Sequence, residues 1–251
     1  PLSWLVEKFW PVKGWTDEDL AKLKANTFKF SAPDSGQAPA ESEPLPEAPE
    51  PKVPTKGIIY YTDNEADASI IQPVIEQLVS ISQKKHLPIV TAALKRKLDF
   101  GVKNIYFPSL KRGMFAQFQQ ILSALENSTS DIIFFCEADI LYHPSHFDFI
   151  PPQEEVYYYN VNVWKVRWSD GHALKVDDLK QLSGFVGYRD FLIRHYKKRI
   201  EVVEKRQADL KAANLGFEPG LHSQPRGVDD YPVESWRSQY PNIDIRHDKN
   251  I

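Results

Sequence analysis

The sequence predicts an α/β fold, a mostly parallel sheet flanked by helices. Three observations predict it. Between residues 57 and 137, short apolar runs alternate with stretches of helical periodicity, the order expected of strand–helix–strand units. The run Ile132-Ile-Phe-Phe-Cys136 is apolar at successive positions, as in a strand covered on both faces. The 251-residue chain is 42% hydrophobic and 12% aromatic, enough for one large core.

Residues 1–30 are aromatic and partly helical. Thr16 can cap a short helix whose first turn holds Asp17, Glu18 and Asp19 and which ends near Ala25. Residues 31–55 are rich in Pro, Glu, Ala and Ser and read as a linker. The body spans residues 56–251. Gly57 to Tyr61 is the first strand, closed by the polar turn Thr62-Asp-Asn64. Ala68 to Lys84 is a helix with Ile71, Val74, Ile75, Leu78 and Ile81 at helical spacing. Leu87 to Leu94 and Asn104 to Phe107 are strands. Met114 to Leu125 is a helix that puts Phe115, Phe118, Ile121, Leu122 and Leu125 on one face, and the strand ending at Glu137 follows. Glu155 to Val163 and Trp164 to Trp168 read as antiparallel additions. Tyr188 to Ala213 reads as a long basic helix.

The formal net charge of −3 gives no global case for nucleic acid. One cysteine, Cys136, excludes a disulfide within the chain and a cysteine zinc cluster, and it fits a reducing compartment. No stretch approaches the roughly 20 apolar residues of a membrane span. No signal-peptide pattern is visible, so a cytoplasmic place, free or against a membrane surface, is the expectation.

Chemistry concentrates at Glu137 and Asp139. Ligands of open α/β sheets bind beyond the carboxyl ends of the strands, where this pair stands. Residues i and i+2 of an extended segment point the same way, and two such carboxylates repel unless a proton or cation relieves them. Hard oxygen ligands suit Mg²⁺ or Mn²⁺ shared with substrate phosphates. Tyr61-Thr62-Asp63-Asn64 offers a polar turn for a base or ribose, or an ordinary Asx turn. Lys111-Arg112-Gly113, ahead of a helix, suits a phosphate, with a glycine that lets a ligand near the backbone. Asp230, after Asp229, can cap a short helix starting near Tyr231 or Pro232, or act as a general base. Ile243 to Arg246 is a short strand that delivers His247.

Other residues have plainer readings. His143 and His146 flank Pro144, which breaks any helix that would align them as ligands. The run Arg194 to Arg199 is a solvated basic face, or a surface for anionic lipid or nucleic acid. Trp164, Trp168 and Trp236 are core residues or sugar-stacking faces.

This order of parts resembles the GT-A fold nucleotide-sugar glycosyltransferases. More narrowly, Phe134 to Phe147, Arg226 to Tyr231 and Pro241 to His247 are similar to a group of bacterial and phage glycosyltransferases, a likeness that covers residues 56–251. The resemblance implies a Rossmann-like sheet and a metal-dependent transfer from a nucleotide-diphosphate sugar, a UDP-sugar being favoured. The hydroxyl acceptor would belong to a glycan, a glycolipid or a modified DNA base. It implies that Asp139 and His247 hold Mn²⁺ or Mg²⁺, with Glu137 facing the ribose or a metal-bound water. It implies that Asp230 or Asp229 is the acceptor base, and that Tyr61 to Asn64, with Arg112 and Gly113, meet the nucleotide. Glu137 departs from the family's first acid, which is Asp. Two other readings stand beside this one. A nucleotidyltransferase would normally carry a glycine-rich basic loop where Thr62-Asp-Asn64 stands. The third reading is a nucleotide-sugar-binding module without catalysis.

Overall fold

The computed structural model describes residues 53–207, 216–221 and 230–250. The segment 1–30, the linker before Val53 and Asp229 lie outside the described residues. In chain order the elements are β1 (Lys56–Thr62), α1 (Ala68–Lys85), β2 (Ile89–Ala93), β3 (Lys103–Tyr106), α2 (Met114–Glu126) and β4 (Ile132–Glu137). Then come β5 (Ile140–Leu141), a 3-10 turn (Pro144–Asp148), β6 (Tyr157–Asn160), β7 (Val163–Arg167), β8 (Ala173–Lys175) and β9 (Phe185–Tyr188). The last are α3 (Arg189–Gln207), β10 (Val233–Trp236) and β11 (Asn242–Arg246).

A seven-stranded sheet has the order β10-β6-β9-β4-β1-β2-β3, and a four-stranded sheet the order β5-β11-β7-β8. In the larger sheet β9 runs against its neighbours β4 and β6; every other pairing is parallel. The α/β class with a mostly parallel sheet is therefore as expected. Alternation along β1 and β4 builds a core on each face. Ile59, Tyr61, Ile133 and Phe135 pack with Phe118, Ile121 and Leu125 of α2 and with Tyr196 of α3. Ile58, Tyr60, Ile132, Phe134 and Cys136 pack with Ile71, Leu78 and Ile81 of α1. Both faces are covered, which is why β4 reads as an unbroken apolar run.

Local chemistry sets the ends of the helices. The Asp67 carboxylate accepts from the Ser69 N–H at 2.8 Å and caps α1. His86, at φ 55°, closes α1 by donating its N–H to the Ser82 carbonyl. Gly113 precedes α2 at φ 151°, a conformation open to glycine.

Three expectations are corrected. The stretch after Asp230 is a strand, not a helix: Val233 to Trp236 pairs in parallel with Tyr157 to Asn160. Pro232 stands just before this edge strand, where the loss of a donor costs nothing in the ladder, and its carbonyl accepts from the Tyr157 N–H at 2.9 Å. The segments after Glu155 fall into two sheets, β6 in the larger and β7 in the smaller. Both have parallel as well as antiparallel partners, so they are not simple antiparallel additions. The basic run on α3 is not a free cationic face. Arg194, Lys197 and Lys198 pair with Glu155, Glu126 and Glu201, while His195 and Arg199 are buried. Among the described residues, no helix is long and apolar enough to cross a membrane.

Candidate active site

The parallel register puts Tyr61 of β1 beside Glu137 of β4. The Tyr61 hydroxyl donates to Glu137 Oε1 at 2.7 Å, and the Glu137 N–H donates to the Tyr142 hydroxyl at 3.1 Å. Burial first, and then the charge of Asp139, push the Glu137 carboxyl up to about 8, although the Tyr61 bond pulls the other way.

Asp139 lies past the end of β4, in the turn that leads to β5. Its carbonyl accepts from the Ile245 N–H at 2.9 Å, so β11 returns the chain to this turn. Asp139 Oδ2 takes the Asn250 amide N–H at 2.6 Å and faces His247 Nε2 at 3.6 Å. Asn250 Oδ1 accepts from the His247 N–H at 2.8 Å, and its amide also donates to the Ile245 carbonyl. The turn 247–250 is thereby fastened to Asp139.

A divalent cation here would have to be held partly by its substrate. Among the described residues, no three of His, Cys, Asp and Glu converge as a ready-made cation cage. His247 Nε2, however, is buried without a hydrogen-bond partner and looks toward a carboxylate. The Lys249 N–H donates to Nδ1 at 3.3 Å, so the neutral ring of this structure carries its proton on Nε2 and would have to move it to Nδ1 to ligate a cation there. One carboxylate and one imidazole leave positions for phosphate oxygens and water, as Mg²⁺ and Mn²⁺ sites usually do.

These groups open on a cavity of about 260 Å³. Tyr61, Thr62, Asp63, Arg112, Gly113, Glu137, Asp139 and His247 all line it. Arg112 Nε pairs with Asp63 Oδ2 at 2.6 Å, and Asp63 Oδ1 accepts from the Glu65 N–H at 3.0 Å. Asn64 is not among the lining residues. At φ 61° it turns away, and its side-chain oxygen takes the N–H groups of Lys95 and Arg96 at 3.1 and 3.2 Å, fixing the loop after β2. Asp230 is also outside the cavity. It comes just before β10, which runs parallel to β6 and hence in the direction of β4. That places Asp230 at the edge where the strands begin, across the sheet from Glu137. The ring of its neighbour Tyr231 packs on Tyr157 and Phe191 at that same edge.

The sequence reading missed Glu65, Gln117, Gln120, Phe217, Lys249 and Asn250, which also line the cavity. Only the position of Lys249 and Asn250, just after His247, could have signalled any of them. His143 and His146 serve structure. His143 Nδ1 meets the Ser145 hydroxyl and N–H at the start of the 3-10 turn. His146 is sealed among Phe134, Tyr142, Phe147 and Trp236. Trp236 stacks on Phe149 with ring planes 3° apart, and Trp164, Trp168 and Trp236 are not among the cavity-lining residues.

No family model matches the chain, and no curated protein sequence does. Solved structures do resemble it. A glycosyltransferase involved in glycosylation of the major capsid of PBCV-1 aligns with 73% of this chain and 82% of its own, at 9% identity and a TM-score of 0.44. An inositol-1-phosphate CTP transferase from T. maritima aligns with 78% of this chain and 91% of its own, at 11% identity and a TM-score of 0.42. A Drosophila β-1,4-galactosyltransferase 7 variant, in complex with manganese, UDP-Gal and xylobiose, aligns with 56% of this chain and 52% of its own, at 7% identity and a TM-score of 0.34. The roles of individual residues here rest on the geometry of this chain rather than on these likenesses.

Proposed function

We propose that the chain is a metal-dependent glycosyltransferase of the GT-A type, moving a sugar from a nucleotide-diphosphate donor to a hydroxyl of a glycan, glycolipid or modified base. One observation carries the reading. At the carboxyl end of a parallel sheet, in a cavity, the Asp139 carboxylate faces the buried and unpartnered Nε2 of His247. Asp139 and His247 would hold Mn²⁺ or Mg²⁺, and the ion supplies Lewis-acid neutralisation of the departing diphosphate. The chain's own groups do the positioning. Tyr61 orients Glu137 by hydrogen bond, so that its second oxygen is free for a ribose hydroxyl or an ordered water. Arg112, steered by Asp63, places a cation on the cavity wall beside Gly113, where the backbone carries no side chain to exclude a ligand. Asn250 holds the Asp139 carboxylate in orientation, and the turn 247–250 walls the site from one side.

The test is donor turnover by the full chain with and without Mn²⁺. Free sugar and nucleoside diphosphate are expected, and they should vanish in Asp139→Ala and His247→Ala. Pyrophosphate as the product would instead indicate nucleotidyl transfer, and tight binding without products would indicate a binding module.

A further inference from the structure

We infer that Gln120 reads the base of the donor nucleotide, and that it selects an imide ring N–H, the donor group of uracil and thymine. The inference rests on the nucleotide-sugar reading of the cavity and deepens it.

Gln120 projects from α2 beneath the cavity floor and is only 2% exposed. Its amide nitrogen donates to the carbonyls of Thr62 and Ala92, each at 2.8 Å. Peptide carbonyls only accept, so both N–H groups are spent and the amide cannot flip. The remaining polar atom, Oε1, accepts no hydrogen bond among the described residues, yet Gln120 lines the cavity. A buried amide whose orientation is fixed by the ends of β1 and β2 thus offers the cavity one group, an acceptor.

The surroundings define what should meet it. Thr62, Leu94, Gly113 and Gln117 line the cavity without charge, and the charges of Asp63 and Glu65 are paired with Arg112 and Lys95, whereas Glu137 and Asp139 stand at and just beyond the end of β4 with His247 facing Asp139. Gln120 is tied to the ends of both β1 and β2, and β1 neighbours β4, so at about 4.8 Å per strand the two poles are roughly 5–10 Å apart. That separation suits a ribose and its 5′-phosphate between a neutral ring and the cation site. Uracil and thymine present N3–H to a single acceptor, with a carbonyl on either side. Gln117, three residues before Gln120 on the same face of α2, has an amide that can donate to one of those carbonyls. Cytosine would set the lone pair of its N3 against Oε1, and two acceptors face to face are rejected.

The experiment is calorimetric titration of the full chain, in Mn²⁺, with UDP, dTDP, CDP, GDP and N3-methyl-UDP. UDP or dTDP should bind at least about tenfold tighter than CDP and N3-methyl-UDP, one hydrogen bond to a buried acceptor being lost in each of the latter. The order of UDP and dTDP assigns uracil or thymine. In Gln120→Met, UDP and N3-methyl-UDP should converge to within about twofold. Because that variant also removes the ties to β1 and β2, the wild-type comparison stands alone if the variant does not fold. Equal binding of UDP and N3-methyl-UDP by the wild type, or tightest binding of CDP or GDP, overturns the inference and leaves the donor reading standing. Failure of every nucleoside diphosphate to bind overturns both.

Discussion

Asp139 Oδ2 is a shared atom: the Asn250 amide reaches it at 2.6 Å and His247 Nε2 faces it at 3.6 Å. Asn250 is thus an outer partner of the proposed ion, orienting the ligand without being one. Removing such a partner typically lowers metal affinity 10–100-fold. Asn250→Ala should therefore raise the Mn²⁺ concentration for half-maximal turnover by about that factor, with kcat at saturating Mn²⁺ little changed. Asp139→Asn keeps the shape and removes the charge, so it should cost at least on the order of 10²-fold at any practical Mn²⁺ concentration. Turnover by Asp139→Asn at the wild-type rate would refute the metal assignment. Gly113 allows a different residue-scale test. A Cβ there would meet nothing within 4 Å, so φ 151° is the sole obstacle to a side chain. Gly113→Ala should lose about 1–3 kcal/mol of stability in denaturant melts, from backbone strain alone.

Among the elements, β10 has the clearest consequence. Were Asp230 a helix cap beside the acidic pair, Asn would spare the cap and abolish a base. With Asp230 ahead of an edge strand and not among the cavity-lining residues, Asp230→Asn should leave turnover within about twofold of wild type. A fall on the order of 10²-fold in kcat would return the residue to the chemistry. Why β10 was misread is instructive. Val233-Glu-Ser-Trp236 has four residues and follows a proline, and its extended form comes from pairing with β6 rather than from its own pattern. β9 hid for the same reason: Phe185-Val-Gly-Tyr188 follows Gly184 and becomes a strand between β4 and β6. By contrast β1, β4, α1 and α2 were legible because each buries a periodic or continuous apolar set. The site divides likewise. Tyr61, Glu137, Asp139 and His247 stand at or just beyond strand ends, where sequence order already implies a place. Gln120 gains its meaning only because the ends of β1 and β2 pass over one turn of α2.

Across the whole molecule, the two sheets meet at one imidazole. His146 Nδ1 accepts from the Asn160 amide of β6 at 2.9 Å and from the Asn242 amide of β11 at 3.2 Å. Asn160 belongs to the larger sheet and Asn242 to the smaller. A proton on Nδ1 would meet two donors, and the rings of Phe134, Tyr142, Phe147 and Trp236 offer no countercharge. Burial accordingly holds His146 neutral, its pKa pushed down to about 3. The unfolded chain titrates this group near 6.5. Between those values the unfolded state carries a proton that the folded state lacks, so stability falls as the pH falls. At about 1.4 kcal/mol per pH unit, His146 should cost roughly 2 kcal/mol between pH 7 and pH 5. His143, pushed down to about 4, acts with the same sign. Glu137 acts with the opposite sign, because a raised carboxyl binds its proton in the folded state and loses stability as the pH rises toward 8. The bare pH profile therefore mixes the two effects, and a difference profile separates them. His146→Gln removes the buried imidazole and leaves both other groups in place. Urea melts of wild type and variant, compared at pH 7 and pH 5, should show the wild type losing about 2 kcal/mol more than the variant on acidification, although the variant is less stable at pH 7. Parallel profiles would show that the junction between the sheets tolerates a charged His146.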